Sequence, residues 1–163
     1  MSLNGGQSVN ASRSFDSTQV PSLPAKLLDV GSDKRGLWKF VKASGAVTQY
    51  DAGIIDKDGN FVSVTTTTAS TTPKIVGIAQ CAAASGEYLW VWIGFGGGTG
   101  FGIKVRVAAS YAAGTKLYTT ATAGVLDDAS TAGVITGVVG LTTDSGSGSA
   151  VEVQAAGAIY SNL

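Results

Sequence analysis

The chain has 163 residues, and its eleven basic and eleven acidic side chains cancel, which excludes the long-range field that gathers nucleic acid or an anionic membrane surface. Only 13% of the residues are charged and 44% are apolar, against roughly a quarter charged in an ordinary soluble domain, so the expectation is a chain that does not work as a lone monomer. There is no histidine and only one cysteine, Cys81, which removes the commonest general base, the Ser-His-Asp arrangement, zinc ligation and any internal disulfide.

Residues 1–36 are polar, hold Pro21 and Pro24, and sustain neither a period of 2 nor one of 3.6. They read as an extended N-terminal arm, with one docking turn or strand in "AKLLDV". Fully stretched, an arm of this size reaches on the order of 100 Å, far beyond its own domain. The opening "MSLNGGQSVNASRSF" has no apolar core of a signal peptide, and no apolar run approaches the roughly 20 residues that cross a bilayer. The expectation is a soluble chain made in the cytoplasm, with no membrane partner.

From residue 37 to residue 163 the text changes to short apolar or alternating runs broken by Gly, Asp and Ser, the pattern of an all-β domain. Strands are expected at "LWKFVK", "AGIID", "NFVSV", "IVGIAQCA", "YLWVWIG", "GIKVRVA", "KLYTT", "ITGVVGLTT" and "AVEVQAA". The fold expected is a compact β-sandwich or β-barrel-like domain behind the arm. In "IDKDGNFV", Asp58-Gly59 marks a tight hairpin turn. Asp56, Asp58 and Asn60 have calcium-loop spacing there, but Phe61 stands where that loop needs glycine and no acidic residue closes it. Cys81, among alanines, reads as a small buried apolar residue.

In "LWVWI", alternation puts Leu89, Val91 and Ile93 on one face and Trp90 and Trp92 on the other. "LWKFVK" alternates similarly, and Lys39 argues for one wet face. After the tryptophans comes "GFGGGTGFG". It lacks the G-x-G-x-x-G spacing of a dinucleotide loop, and Ile103 follows Gly102 where a P-loop needs lysine. The next segment alternates like a strand, so no helix N-terminus waits for a phosphate. A turn, or a close approach of another backbone, is what remains.

"IVGIAQCAAASGEYLWVWIG" from Ile75 and "ITGVVGLTTDSGSGSAVEVQ" from Ile135 align without a gap at an offset of 135 − 75 = 60 residues. Gly77 meets Gly137, Ile78 meets Val138, and Val91 and Ile93 meet Val151 and Val153. Two repeat units, about 50–100 and 110–157, are thus expected. Since Trp90 and Trp92 become Ala150 and Glu152, the aliphatic face reads as the shared core. The tryptophan face is then specific to the first copy, either packed inside or turned towards the arm, another subunit or a foreign surface. Asp127-Asp128 read as a solvated loop, and no catalytic, cofactor or metal residue is assigned.

The arm, the Gly/Ala/Thr-rich strands, "VTQYDAGIIDKDG", "IVGIAQCAAASGEYLWVWIGFGGG" and "ITGVVGLTTDSGSGSAVEV" together resemble the head decoration, or cement, proteins of tailed bacteriophages, over roughly residues 37–156. That resemblance implies a non-enzymatic virion protein on the outer surface of the capsid, bound to the major capsid protein and stabilising contacts between its subunits. It also implies a homo-oligomer, a trimer before a dimer. The candidate partner interface is Phe15, Leu23, Leu27, Leu28, Trp90, Trp92, Phe95 and Phe101. A tail, fibre or baseplate β module, and a glycan-binding module stacking sugars on the tryptophans, are the alternatives.

Overall fold

A computed structural model of the chain describes residues 9–19, 26–68, 74–129, 133–145 and 149–162. Those residues form strands and turns with no helix, as β-branched and aromatic runs punctuated by glycine dictate. In chain order the strands are β1 Val30–Asp33, β2 Gly36–Ala43, β3 Ala52–Ile55, β4 Asn60–Ser63, β5 Lys74–Ala79, β6 Tyr88–Gly97 and β7 Lys104–Arg106. They continue with β8 Leu117–Thr119, β9 Leu126–Asp127, β10 Val134–Thr136, β11 Val139–Gly140, β12 Ala150–Ala158 and β13 Tyr160–Asn162.

Strands β6, β2, β4, β3 and β5 follow one another side by side, and pairing of β5 with β6 closes them into a five-stranded barrel. All contacts around it are antiparallel except β2 with β4. The β3–β4 turn is the expected Asp-Gly hairpin. Oδ1 of Asp56 accepts the backbone N–H groups of Asp58 at 2.9 Å and Asn60 at 2.8 Å, and Gly59 takes φ +81°.

Every barrel strand sends one face inward. Val41, Phe61, Ile55, Ala79, Leu89 and Val91 meet there in a small core that also holds Cys81. Five strands enclose little space, and Gly53 and Gly77 make room. A side chain at Gly53 would run into the Phe61 ring, and one at Gly77 into Val91.

The larger core lies on the outside of the barrel. Trp38, Phe40, Ile54, Ile78, Trp90 and Trp92 point outward and are covered by a second layer that contributes Ile103, Val105, Tyr111, Leu117, Leu126, Ile135, Val151, Val153 and Ile159. Strand β12 pairs with β6 and β7, and β13 joins β5 to β10, so two strand pairings continue the barrel into the second layer, and further backbone bonds, such as Ala52 N–H to the Gly124 carbonyl at 3.0 Å, add to them. Gln80 adds a side-chain link, donating from Nε2 to the Lys104 carbonyl at 2.9 Å and accepting the Lys104 N–H on Oε1 at 3.1 Å.

The boundary expected at residue 36 falls inside a hairpin. Strand β1 pairs with β2 in register from Val30↔Lys39 to Asp33↔Gly36, so the last part of the arm is a strand of the domain. Further back, Phe15 and Tyr88 exchange both backbone hydrogen bonds at 2.6 Å, and Ala11 and Phe15 are buried in the larger core.

The 60-residue repeat is a likeness of text that the fold uses in two ways. In the first copy Ile78 faces Trp92 and Ala79 faces Val91. The equivalent residue in the second copy, Val139, faces Gln154 instead of Val151. Gly77 lies mid-strand in β5, whereas Gly137, at φ +88°, separates β10 from β11. Val91 lines the barrel interior while Val151 and Val153 lie in the outer core. The aliphatic face is therefore not a core shared by both copies, and the tryptophan side of β6 is the one that meets the second layer.

Candidate interaction surface

Three of the expected interface residues, Phe15, Trp90 and Trp92, are interior. Trp90 is 2% exposed and Trp92 0%, because the outward face of β6 is roofed by the second layer and the arm. The Trp92 indole N–H donates to the Arg35 carbonyl at 3.0 Å, and the Trp38 indole donates to Oδ1 of Asp33 at 2.9 Å. Both indoles are thus capped by the β1–β2 turn, whose Arg35 pairs with Asp33 at 2.6 Å and lies 4.7 Å from the Trp38 ring centre. Burial opposes ionisation of Asp33, but hydrogen bonds from Arg35 and Trp38 outweigh it and hold the carboxyl below its ordinary range.

Trp90 does meet the arm's cluster. Its ring lies 5.2 Å from that of Phe40, which in turn is 6.1 Å from Phe15 and 6.0 Å from Tyr88. Ser14 donates to Glu87 at 2.7 Å. Phe15 is therefore an anchor into its own domain, not a free contact. Leu23 lies outside the described residues.

The glycine loop is a place of close backbone approach, and the backbone is the chain's own. The Gly97 N–H donates to the Arg35 carbonyl at 2.8 Å, and the Gly98 N–H to that of Val153 at 3.0 Å. Gly94 and Gly97 take φ +114° and +77°, and a Cβ at either would be driven into the carbonyl oxygen of Gly157 or Val153. Side chains are thus forbidden where the loop touches the fold, and its two phenylalanines turn outward. Phe95 is 52% exposed and Phe101 44%. Phe95 adopts φ +58°, a left-handed conformation that costs a non-glycine residue roughly 1–2 kcal/mol.

Leu27 is exposed and packs over Gly59, while Leu28 is half-buried at the barrel mouth beside Ile55 and Ile75. That mouth is a cup of about 490 Å³ with Lys39, Lys57, Lys74 and Asp56 around it. Lys39 alternates with Leu37 and Val41, so its face is the barrel interior and is wet only where the strand reaches the mouth; the outer face of β2 is buried. The wet face expected in "LWKFVK" is thus confined to Leu37 and Lys39, both partly exposed, while Val41 on the same face and Trp38 and Phe40 on the other are buried.

Cys81 is buried, and burial, helped by the nearby Glu87 charge, pushes its thiol up to about 11. Asp127 belongs to the short strand β9, and Asp128 accepts the Ala112 N–H at 2.8 Å, so this pair supports a turn instead of lying free in solvent. Among the described residues no group of three or more His, Cys, Asp or Glu is placed to hold a metal ion. Neither a scan against protein-family models nor a search of curated proteins gives a match to this chain.

Proposed function

We propose that this chain is a non-enzymatic decoration protein of a tailed-bacteriophage head, attached to the outer surface of the capsid through contacts with the major capsid protein. The observation that carries the reading is the pair of exposed phenylalanines, Phe95 near the end of β6 and Phe101 in the turn that follows, in a stretch fastened to the fold by the backbone hydrogen bonds of Gly97 and Gly98. An exposed aromatic side chain offers a large apolar area with only two rotatable side-chain bonds to fix on binding, which suits a protein contact. A charge-poor, neutral surface fits a partner recognised at short range by shape and apolar area.

Attachment works by mass action. A ligand that binds the assembled shell better than its separate subunits stabilises the shell, and repetition over the lattice, with decoration subunits grouped as trimers, multiplies weak contacts. Glycan binding loses its support, since the tryptophans proposed to stack on sugars are buried.

Mixing the purified chain with undecorated capsids and sedimenting them tests the proposal. Saturable co-sedimentation in fixed ratio to the major capsid protein, lost in a Phe95→Ser/Phe101→Ser double variant, is expected. Co-sedimentation that is absent, or unchanged in the double variant, overturns it.

A further inference from the structure

We infer that the mouth of the five-stranded barrel is a binding site for a small amphipathic carboxylate, with an apolar body of a few carbons and one anionic head. The site is independent of the phenylalanine loop and of the capsid reading.

Leu28, Ile55 and Ile75 give the cup an apolar floor, and its volume of about 490 Å³ lies in the roughly 300–1,000 Å³ range of small-molecule sites, which occur in the mouths of β-barrels. Phe61, Val91 and Leu89 fill the barrel below, and five strands leave no channel, since even eight enclose little more than their own side chains. A ligand therefore lies across the floor and does not thread into the barrel.

Charge at the rim selects the head group. Lys57 is neutralised by Asp58, with Nζ 2.7 and 2.8 Å from its two carboxylate oxygens. Asp56 is committed to its turn, with Oδ1 accepting the Asp58 and Asn60 N–H groups and Oδ2 accepting the Asn60 amide at 2.8 Å. Lys39 and Lys74 are left with no ion-pair partner among the described residues. Lys39 is half-buried on an inward-facing position, so its stem lies along the apolar floor and its ammonium at the edge. With Lys57 offset by Asp58, Lys39 and Lys74 outweigh the one remaining carboxylate of the lining, Asp56, and this net positive rim around an apolar floor complements a carboxylate on a hydrocarbon. A phosphate asks for convergent backbone N–H donors as well, and those of the β3–β4 turn are already taken by Asp56.

Titration of the isotope-labelled full chain with octanoate, octylammonium and acetate, followed by amide resonances, tests the site. Octanoate is expected to shift the Leu28, Ile55 and Ile75 amides saturably. Acetate, without the apolar body, binds at least about tenfold more weakly, and octylammonium gives no saturable shift. The Lys39→Gln/Lys74→Gln double variant should bind octanoate about tenfold more weakly, and Lys116→Gln, on an exposed position outside the lining of the cup, as tightly as the wild type. Octanoate that leaves the cup amides unmoved, octylammonium that saturates the same amides, or a double variant with unchanged affinity overturns the proposal.

Discussion

Arg106 on β7 places Nη1 2.6 Å from Oδ1 of Asp51, the residue that leads into β3, and so joins the second layer to the barrel through one ion pair. The Asp51 side chain is almost wholly buried and the Arg106 side chain partly so. Oδ2 of the same carboxylate accepts the Thr48 N–H at 3.0 Å and the Ser63 hydroxyl at 2.9 Å. Truncating the arginine leaves a buried charge without its counter-ion. Arg106→Ala is expected to lower the unfolding free energy by about 3 kcal/mol, measured by urea denaturation. Asp51→Asn in the Arg106→Ala background should recover part of that loss, because it removes the orphaned charge.

Phe95 is held in a left-handed conformation that glycine adopts without cost. Phe95→Gly should therefore raise stability, by about 1 kcal/mol, while weakening attachment to capsids about tenfold or more. Thermal unfolding and capsid co-sedimentation, run on the same preparation, check the two opposed effects.

Phe15 is buried against Phe40 and Tyr88. Phe15→Ala should cost about 3 kcal/mol, with the loss read from denaturant midpoints. Deleting residues 1–19 should cost at least as much and increase binding of a hydrophobic dye, since the Phe40 and Tyr88 rings would lose their cover. The arm is thus expected to be part of the domain's stability as well as of any contact it makes elsewhere.

Two groups, one half-buried and one buried, contribute to the pH dependence of the fold. The Asp33 carboxyl is held below its ordinary value, so its contribution is present above the unfolded pKa of about 3.9 and is lost as pH falls through the folded value. Cys81 is shifted the other way, from 9.0 to about 11. Its contribution is fully present below pH 9.0 and is lost as pH rises through about 11. Denaturation midpoints should be flat between these limits as far as these two groups are concerned, and Cys81→Ala should make the fall between about pH 9 and about pH 11 shallower than in the wild type. At pH 8 the native thiol should react with a disulfide reagent far more slowly than the unfolded chain.

The strands of the domain were legible because each is a short apolar run ended by a turn residue. Local alternation shows that Trp90 and Leu89 face opposite ways, but not which side becomes interior. In this fold both sides do, because the chain after Gly98 returns as a second layer over the barrel. Strand β1 was hidden in "DVGSD", which has too little apolar character to stand out and is fixed by pairing with β2. Strand β13 was missed for the same reason, its pairing with β5 and β10 being non-local. The exposure of Phe95 and Phe101 was recoverable from their glycine neighbours, which leave a ring nowhere to pack. Lys39 at the barrel mouth was not, because its position depends on which end of β2 closes the barrel.

Strand β6 is flanked through Val91 and Trp92 by β2 on one side and β5 on the other, with both of its faces covered. No local fraying can bring water to those two amides without opening the barrel and lifting the second layer together. Their hydrogens are expected to exchange with solvent only when the whole domain unfolds, which would make them reporters of global stability.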